Sequence, residues 1–282
     1  MTTNLSADVA ELVAVAEEVA REAGTLIGDG RPDRVTVAAT KSSPADVVTA
    51  MDIASEELLR RRLSQLRPHD GVLGEEHGFL PGTSGVTWVV DPIDGTVNYL
   101  YGQPSYAVSV AAVTGPAGAA PDPRTWTVLA SCVHAPTLRT TFTAARGLGA
   151  FRDGTRLELG PGPDGLEGCL VSTGFGYRAE RRAAQGRVIA ALLPQVRDIR
   201  RLGSAAVDLC LVAAGAVDVH FERGLQPWDL AGAALVVIEA GGVVAGLRGE
   251  PATQTMTVAG PAAVVGWLAP VLADLRADSD DL

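Results

Sequence analysis

The stretch WVVDPIDGTVNY, residues 88–99, runs three apolar residues into Asp91 and Asp94, two carboxylates set three apart around a Pro-Ile pair, and then into Gly95-Thr96. Asp, Pro and Gly are ordinary turn formers, so both aspartates could simply bond nearby backbone. Two carboxylates at the carboxyl end of a buried strand, followed by free N–H groups, can also hold a cation and a phosphate. Two more acidic clusters stand at similar joints. VLGEEHG puts Glu75 and Glu76 after a short apolar segment and a glycine, and QPWDLAG puts Asp229 at the head of a long apolar run. Taken singly, the glutamates read as solvated loop charges and Asp229 as a helix cap. Taken together, carboxylates gathered where elements end against apolar core would repel one another unless cations lay among them. Oxygen ligands without a histidine pair or a thiolate pattern favour Mg²⁺ over zinc.

The elements that must position these residues are legible in the hydrophobic pattern. Val9, Leu12, Val13, Ala16, Val19, Ala20, Ala23, Leu26 and Ile27 recur at three- and four-residue spacing, which predicts a first helix with Ser6 or Asp8 as its cap. A short strand over Val35 to Ala39 follows, and KSSPADVVTAMD then leads into a second helix ending at Leu66. TWVVD, SYAVSVAAV, TWTVLASCVH and TTFTAA read as strands separated by turns such as GPAGAAPDPR, so the first part, residues 1–158, is expected to hold helices plus an antiparallel sheet. The segment LGPGPDGLEG, 159–168, has the composition of a wide loop and marks the boundary. Residues 159–282 alternate strand-like and helical segments, ending in a helix near Ala262 to Leu275 and a frayed acidic ADSDDL. This second part would supply Asp229 and substrate contacts.

Composition bounds the function. With 282 residues, 47% of them hydrophobic, the chain can bury a sizeable core. A net charge of −10 argues against direct binding to nucleic acid or an anionic membrane, so an anionic substrate would need local help from metal ions. Cys132, Cys169 and Cys210 are odd in number, widely spaced and set among apolar residues, as core thiols in a reducing cytoplasm would be. No targeting segment and no run of the roughly 20 apolar residues that crosses a bilayer is expected. His69, His77, His134 and His220 are scattered and are given no catalytic role.

GEE at 74–76, DPIDGT at 91–96 and WDLAGAALVVIEAGG at 228–242 closely resemble signature segments of the inositol monophosphatase family. KSSPADVVTAMD at 41–52 and RRLGSAAVDLCLVAAGAVD at 200–218 support the resemblance, which runs in order from about Glu11 to Leu275. It implies a mixed α/β fold, a layered αβαβα sandwich, acting as a Mg²⁺-dependent phosphomonoesterase and usually assembled as a homodimer. By motif, Glu75, Asp91 and the carbonyl of Ile93 would hold one ion, Asp91, Asp94 and Asp229 a second, and Glu75 would share a third through waters. Thr96, with Asp52 behind it, would orient the attacking water. The N–H groups of Gly95 and Thr96 would take phosphate oxygens, and Asp94, Ala206, Glu222 and Asp229 would contribute substrate contacts. The motif continues VNY where many relatives have TNF, which touches no metal ligand.

The resemblance implies a small phosphorylated polyol as substrate, inositol 1-phosphate first. Glu222 resembles the position that contacts inositol hydroxyls and could equally receive the ammonium of histidinol phosphate; a solvated loop charge is the lesser alternative. A second substrate phosphate would want extra cations, and the sequence near the site offers Arg223 without a basic cluster, which disfavours sugar and nucleotide bisphosphates. The reading from another class is a regulatory scaffold in a transcription complex, as some family members are.

Overall fold

Helix α1 (Leu5–Asp29) buries Leu12, Ala16, Val19, Ala20, Ala23 and Ile27, the stripe that its sequence spacing predicts. Asp8 falls in its first turn and is not a cap, while the side chain of Ser6 lies outside the described residues. The structure, a computed structural model, describes residues 5–115 and 118–280, so part of the GPAGAAPDPR turn and the end of the ADSDDL segment also lie outside it.

A short hairpin, β1 (Val37–Thr40) and β2 (Val47–Thr49), leads into α2 (Ala50–Leu66), which Thr49 and Asp52 start with a reciprocal capping box. An eight-stranded sheet follows, built from β3 (Gly71–Gly74), β4 (Gly78–Leu80), β5 (Val86–Asp94), β6 (Ala107–Thr114), β7 (Thr127–Ala135), β8 (Thr140–Ala145), β9 (Gly149–Arg152) and β10 (Thr155–Arg156). Between β5 and β6 lies the short helix α3 (Thr96–Tyr101). The strand order is β10-β9-β8-β7-β6-β5-β3-β4. All neighbours are antiparallel except β3 and β5, which run parallel, so the expected antiparallel sheet is mixed at this one joint. The chain makes β4 on the outer side of β3 and then crosses to the inner side for β5. The carboxyl ends of β3 and β5 thereby lie side by side.

The second sheet holds β11 (Leu170–Thr173), β12 (Asp198–Arg200), β13 (Val219–Glu222), β14 (Val243–Ala245) and β15 (Thr257–Gly260), in the order β12-β11-β13-β15-β14. Its helices are α4 (Ala179–Leu192), α5 (Ala205–Ala213), α6 (Pro227–Glu239) and α7 (Ala262–Asp274).

Alternation along the strands assembles the layers. Trp88, Val90, Val108, Val110 and Cys132 face α1 and α2, whereas Val89, Ala111, Val113 and Val133 face α5 and α6. Val171, Val219, Phe221 and Val258 pack on α4 and α7. The result is the αβαβα sandwich. Helices α5 and α6 sit between the sheets, and α6 crosses β6 closely enough that a Cβ on Gly232 would stand 2.6 Å from Ser109 Oγ. All three cysteines are buried and free.

Candidate metal and phosphate site

In a regular strand, residues three apart point to opposite faces. Asp91 and Asp94 escape this because β5 bulges between them. Asp91 pairs with Ser109 and Asp94 with Ala107, so three steps on β5 oppose two on β6. Pro92, which has no N–H to give, sits in the bulge and its carbonyl accepts from Ser55 Oγ at 3.1 Å. Gly95 then turns the chain at φ 95°, and a Cβ there would stand 2.9 Å from the carbonyl oxygen of Ser105. Only glycine takes both that conformation and that approach without strain.

Asp229 arrives from the other half of the chain, in the first turn of α6. Oxygens of Asp91, Asp94 and Asp229 come within 4.8 Å of one another. Each aspartate has one oxygen held by backbone: Ile93 N donates to Asp91 Oδ1 at 3.0 Å, Ala206 N to Asp94 Oδ2 at 2.7 Å, and Gln226 N to Asp229 Oδ2 at 2.7 Å. Ser204 Oγ also donates to Asp94 Oδ2, at 2.5 Å. The second oxygen of each is left for the cluster. Asp229 is therefore the N3 partner of Gln226 in the capping box of α6 and a cluster member at once.

Burial is the largest effect on these acids. It pushes Asp91 and Asp229 well above the usual carboxylate range, and repulsion among Glu75, Asp94 and each other adds to it. Asp94 is pushed up by burial to about 6, held down by the bonds from Ser204 and Ala206. Such a set of crowded, dehydrated oxygens fits a hard divalent cation, which would relieve both penalties.

Glu75 follows β3 directly and lines the same cavity. Its Oε1 accepts from Lys41 Nζ at 2.8 Å, and the same ammonium lies 2.7 Å from Glu76 Oε1. Burial pushes Glu75 up to about 7 against the pull of Lys41. Burial alone would lower Lys41, but the two glutamates outweigh it and raise it.

Thr96 Oγ1 lies 2.9 Å from Asp52 Oδ1 and 3.1 Å from the Ile93 carbonyl oxygen, so its one proton points to acceptors and its lone pairs are open. Asp52 is raised by burial, which bonds from Thr49 and Thr96 oppose. The amides of Gly95 and Thr96 stand at the start of α3, where no intrahelical acceptor exists.

Lys41, Glu75, Asp91, Asp94, Thr96 and Asp229 open on one cavity of about 610 Å³, which Glu222 and Asp208 also line. Ala205 reaches the cavity, whereas Ala206 is fully buried and acts on Asp94 through its amide. Sequence reading missed Glu56, whose buried carboxylate accepts from the N–H groups of Glu76 and His77 at 2.7 and 3.0 Å and so sets the turn carrying Glu75. The signal was present: Asp52 and Glu56 occupy the buried stripe of α2 with Leu59 and Leu63. It also missed Ser204 and Asp208. The expectation of no basic cluster is corrected outright, because Arg178, Arg181, Arg201 and Arg223 all line the cavity. Arg178 and Arg181 are neighbours at the start of α4, and only the fold brings Arg201 and Arg223 to them.

Residues 8–276 match the inositol monophosphatase family. The chain is 41% identical to inositol-1-monophosphatase SuhB of Mycobacterium tuberculosis over 94% of its own length and 91% of that protein's. It is 38% identical to Nus factor SuhB of Escherichia coli, over 83% and 85%. The solved structure of the extragenic suppressor protein suhB from Bartonella henselae superposes with a TM-score of 0.81 at 31% identity, covering 93% of this chain and 98% of that one.

Proposed function

The chain belongs to the inositol monophosphatase family, and from that premise we propose that it is a Mg²⁺-dependent phosphomonoesterase that hydrolyses a small polyol monophosphate, inositol 1-phosphate first. The convergence of Asp91, Asp94 and Asp229 within 4.8 Å, from both halves of the chain, carries the reading. Two or three Mg²⁺ ions held by Glu75, Asp91, the Ile93 carbonyl, Asp94 and Asp229 would supply Lewis-acid activation of water and charge neutralisation for the phosphate and leaving alkoxide. The chain's own residues do the rest. Backbone amides fix one oxygen of each aspartate, so the cluster is preorganised before substrate arrives. Asp52 accepts the hydrogen bond of the Thr96 hydroxyl, which would leave a lone pair of Thr96 Oγ1 to accept from the attacking water and aim it. The Gly95 and Thr96 amides would bind phosphate oxygens, and Glu222, at the end of β13, would accept from substrate hydroxyls.

The M. tuberculosis relative's name supports inositol 1-phosphate. Histidinol phosphate is the second reading, favoured by the acidic Glu222 and Asp208, which could receive an ammonium. The name of the E. coli relative supports a transcription-related partner as an added role. A homodimer and residence in the cytoplasm belong to the same reading; the three free buried cysteines agree with a reducing compartment, and among the described residues no helix is long and apolar enough to cross a membrane. The test is phosphate release from inositol 1-phosphate, histidinol phosphate and glycerol phosphate by wild type and Thr96→Ala. Inositol 1-phosphate should be preferred, and the variant should lose about 10²-fold or more in kcat. Wild-type turnover in Thr96→Ala would remove the water-orienting role.

A further inference from the structure

On the rim of the same cavity the charge reverses. Arg178 precedes α4, Arg181 lies in its first turn, and Arg223 follows β13. All three converge on one carboxylate, that of Asp280, beyond the end of α7. Arg178 Nη2 lies 2.8 Å from Asp280 Oδ2, Arg181 Nε and Nη2 each lie 3.2 Å from Oδ1 and Oδ2 respectively, and Arg223 Nη1 donates to Oδ1 as well. Three guanidinium charges thus meet one carboxylate charge. The adjoining chain is anchored by Asp278, which pairs with Arg248 at 2.8 Å. The described part of the expected frayed end, 277–280, is folded back onto the arginines that line the pocket instead.

The cluster has capacity that Asp280 does not use. A guanidinium offers five N–H donors in a planar fork matched to phosphate, and a carboxylate has only two oxygens to answer three such forks. The side chain of Arg223 is 14% exposed, and its Nε is buried without a hydrogen-bond partner among the described residues. The hydrogen bonds from Arg181, ahead of the charges of Arg223 and Arg178, hold Asp280 below the ordinary carboxylate range, so it stays an anion. A phosphate brings one more oxygen and more charge than a carboxylate. It would satisfy more of these donors.

We propose that Arg178, Arg181 and Arg223 form a second anion subsite of the substrate cavity, suited to a second phosphate on a polyol or sugar bisphosphate, and that Asp280 occupies this subsite until such a substrate displaces it. This rests on the phosphatase reading for the floor of the cavity, where the first phosphate is cleaved. With Asp280 in place one of the three charges is neutralised and donors of all three arginines are occupied, so the cavity suits a monophosphate. With Asp280 displaced, the substrate is held at both ends.

Two measurements test this. The first is the ratio of kcat/KM for fructose 1,6-bisphosphate to that for inositol 1-phosphate. Asp280→Asn should raise the ratio about tenfold, because a bisphosphate no longer competes with a tethered anion, and Arg178→Ala/Arg181→Ala should lower it about tenfold. The second is calorimetric titration of metal-free protein with inorganic phosphate, where the carboxylates of the floor repel the anion and the rim arginines favour it. Asp280→Asn should bind more tightly than wild type, and adding Arg178→Ala/Arg181→Ala to it should abolish binding. An unchanged ratio in Asp280→Asn, or phosphate binding indifferent to the arginines, would overturn the proposal. If no variant releases phosphate from either substrate, the phosphatase reading fails and the calorimetry still decides the subsite.

Discussion

Asp208 lies in α5 with 1% exposure, and its Oδ1 has no hydrogen-bond partner among the described residues. His220 on β13, Glu222 at that strand's end, Asp94 and Arg201 are the charged and titratable groups that act on it. Burial pushes its pKa up to about 7, with His220 opposing and Glu222 and Asp94 adding. The folded chain therefore holds the Asp208 proton more tightly than the unfolded chain, whose aspartates titrate near 4. This contribution is fully present below about pH 4 and is lost as pH rises to about 7, at most about 4 kcal/mol in all. Asp208→Asn removes the titration. In urea denaturation the variant should gain on wild type between pH 5 and pH 8, and a wild-type-minus-variant difference that does not change with pH would refute the assignment.

At the scale of elements, the α1 stripe, the β5–β8 strands and the long apolar α6 follow from periodicity, because burial on one face writes itself into the spacing. What periodicity cannot express is the joint. Asp91 and Asp94 stand at a spacing that a flat strand would split between faces, and the bulge that unites them shows in the sequence only as Pro92 and Gly95. The parallel pairing of β3 and β5, which sets Glu75 beside Asp91, depends on a crossover that local pattern does not encode. Gly95 makes this joint testable. Gly95→Ala would meet the carbonyls of Ser105 at 2.9 Å and Gly203 at 3.1 Å at a left-handed φ, a cost of about 1–3 kcal/mol. The urea midpoint should fall accordingly, and turnover with it, since Thr96 is next in the chain. A midpoint equal to wild type would show that the turn has slack that the geometry denies it.

Across the whole molecule, the cavity draws on residues from Lys41 to Gln254, and Asp280 reaches its rim. Motif residues of the floor were legible because each sits in a short signature. The arginine rim was not, since Arg178, Arg181, Arg223 and Asp280 meet only after α4, β13 and the segment beyond α7 have packed. The layered architecture makes the floor depend on both halves: α6 must lie across β5 and β6 to carry Asp229 to Asp91 and Asp94. That dependence is most directly tested by phosphate release from inositol 1-phosphate as Mg²⁺ is titrated into chelated wild type and Asp229→Asn. The wild type should be inactive when chelated and recover saturably with Mg²⁺, while Asp229→Asn, which keeps a side-chain oxygen to accept from Gln226 N, should stay about 10²-fold or more below it at every concentration. Full turnover in exhaustively chelated wild type, or a wild-type Mg²⁺ response in Asp229→Asn, would contradict the account.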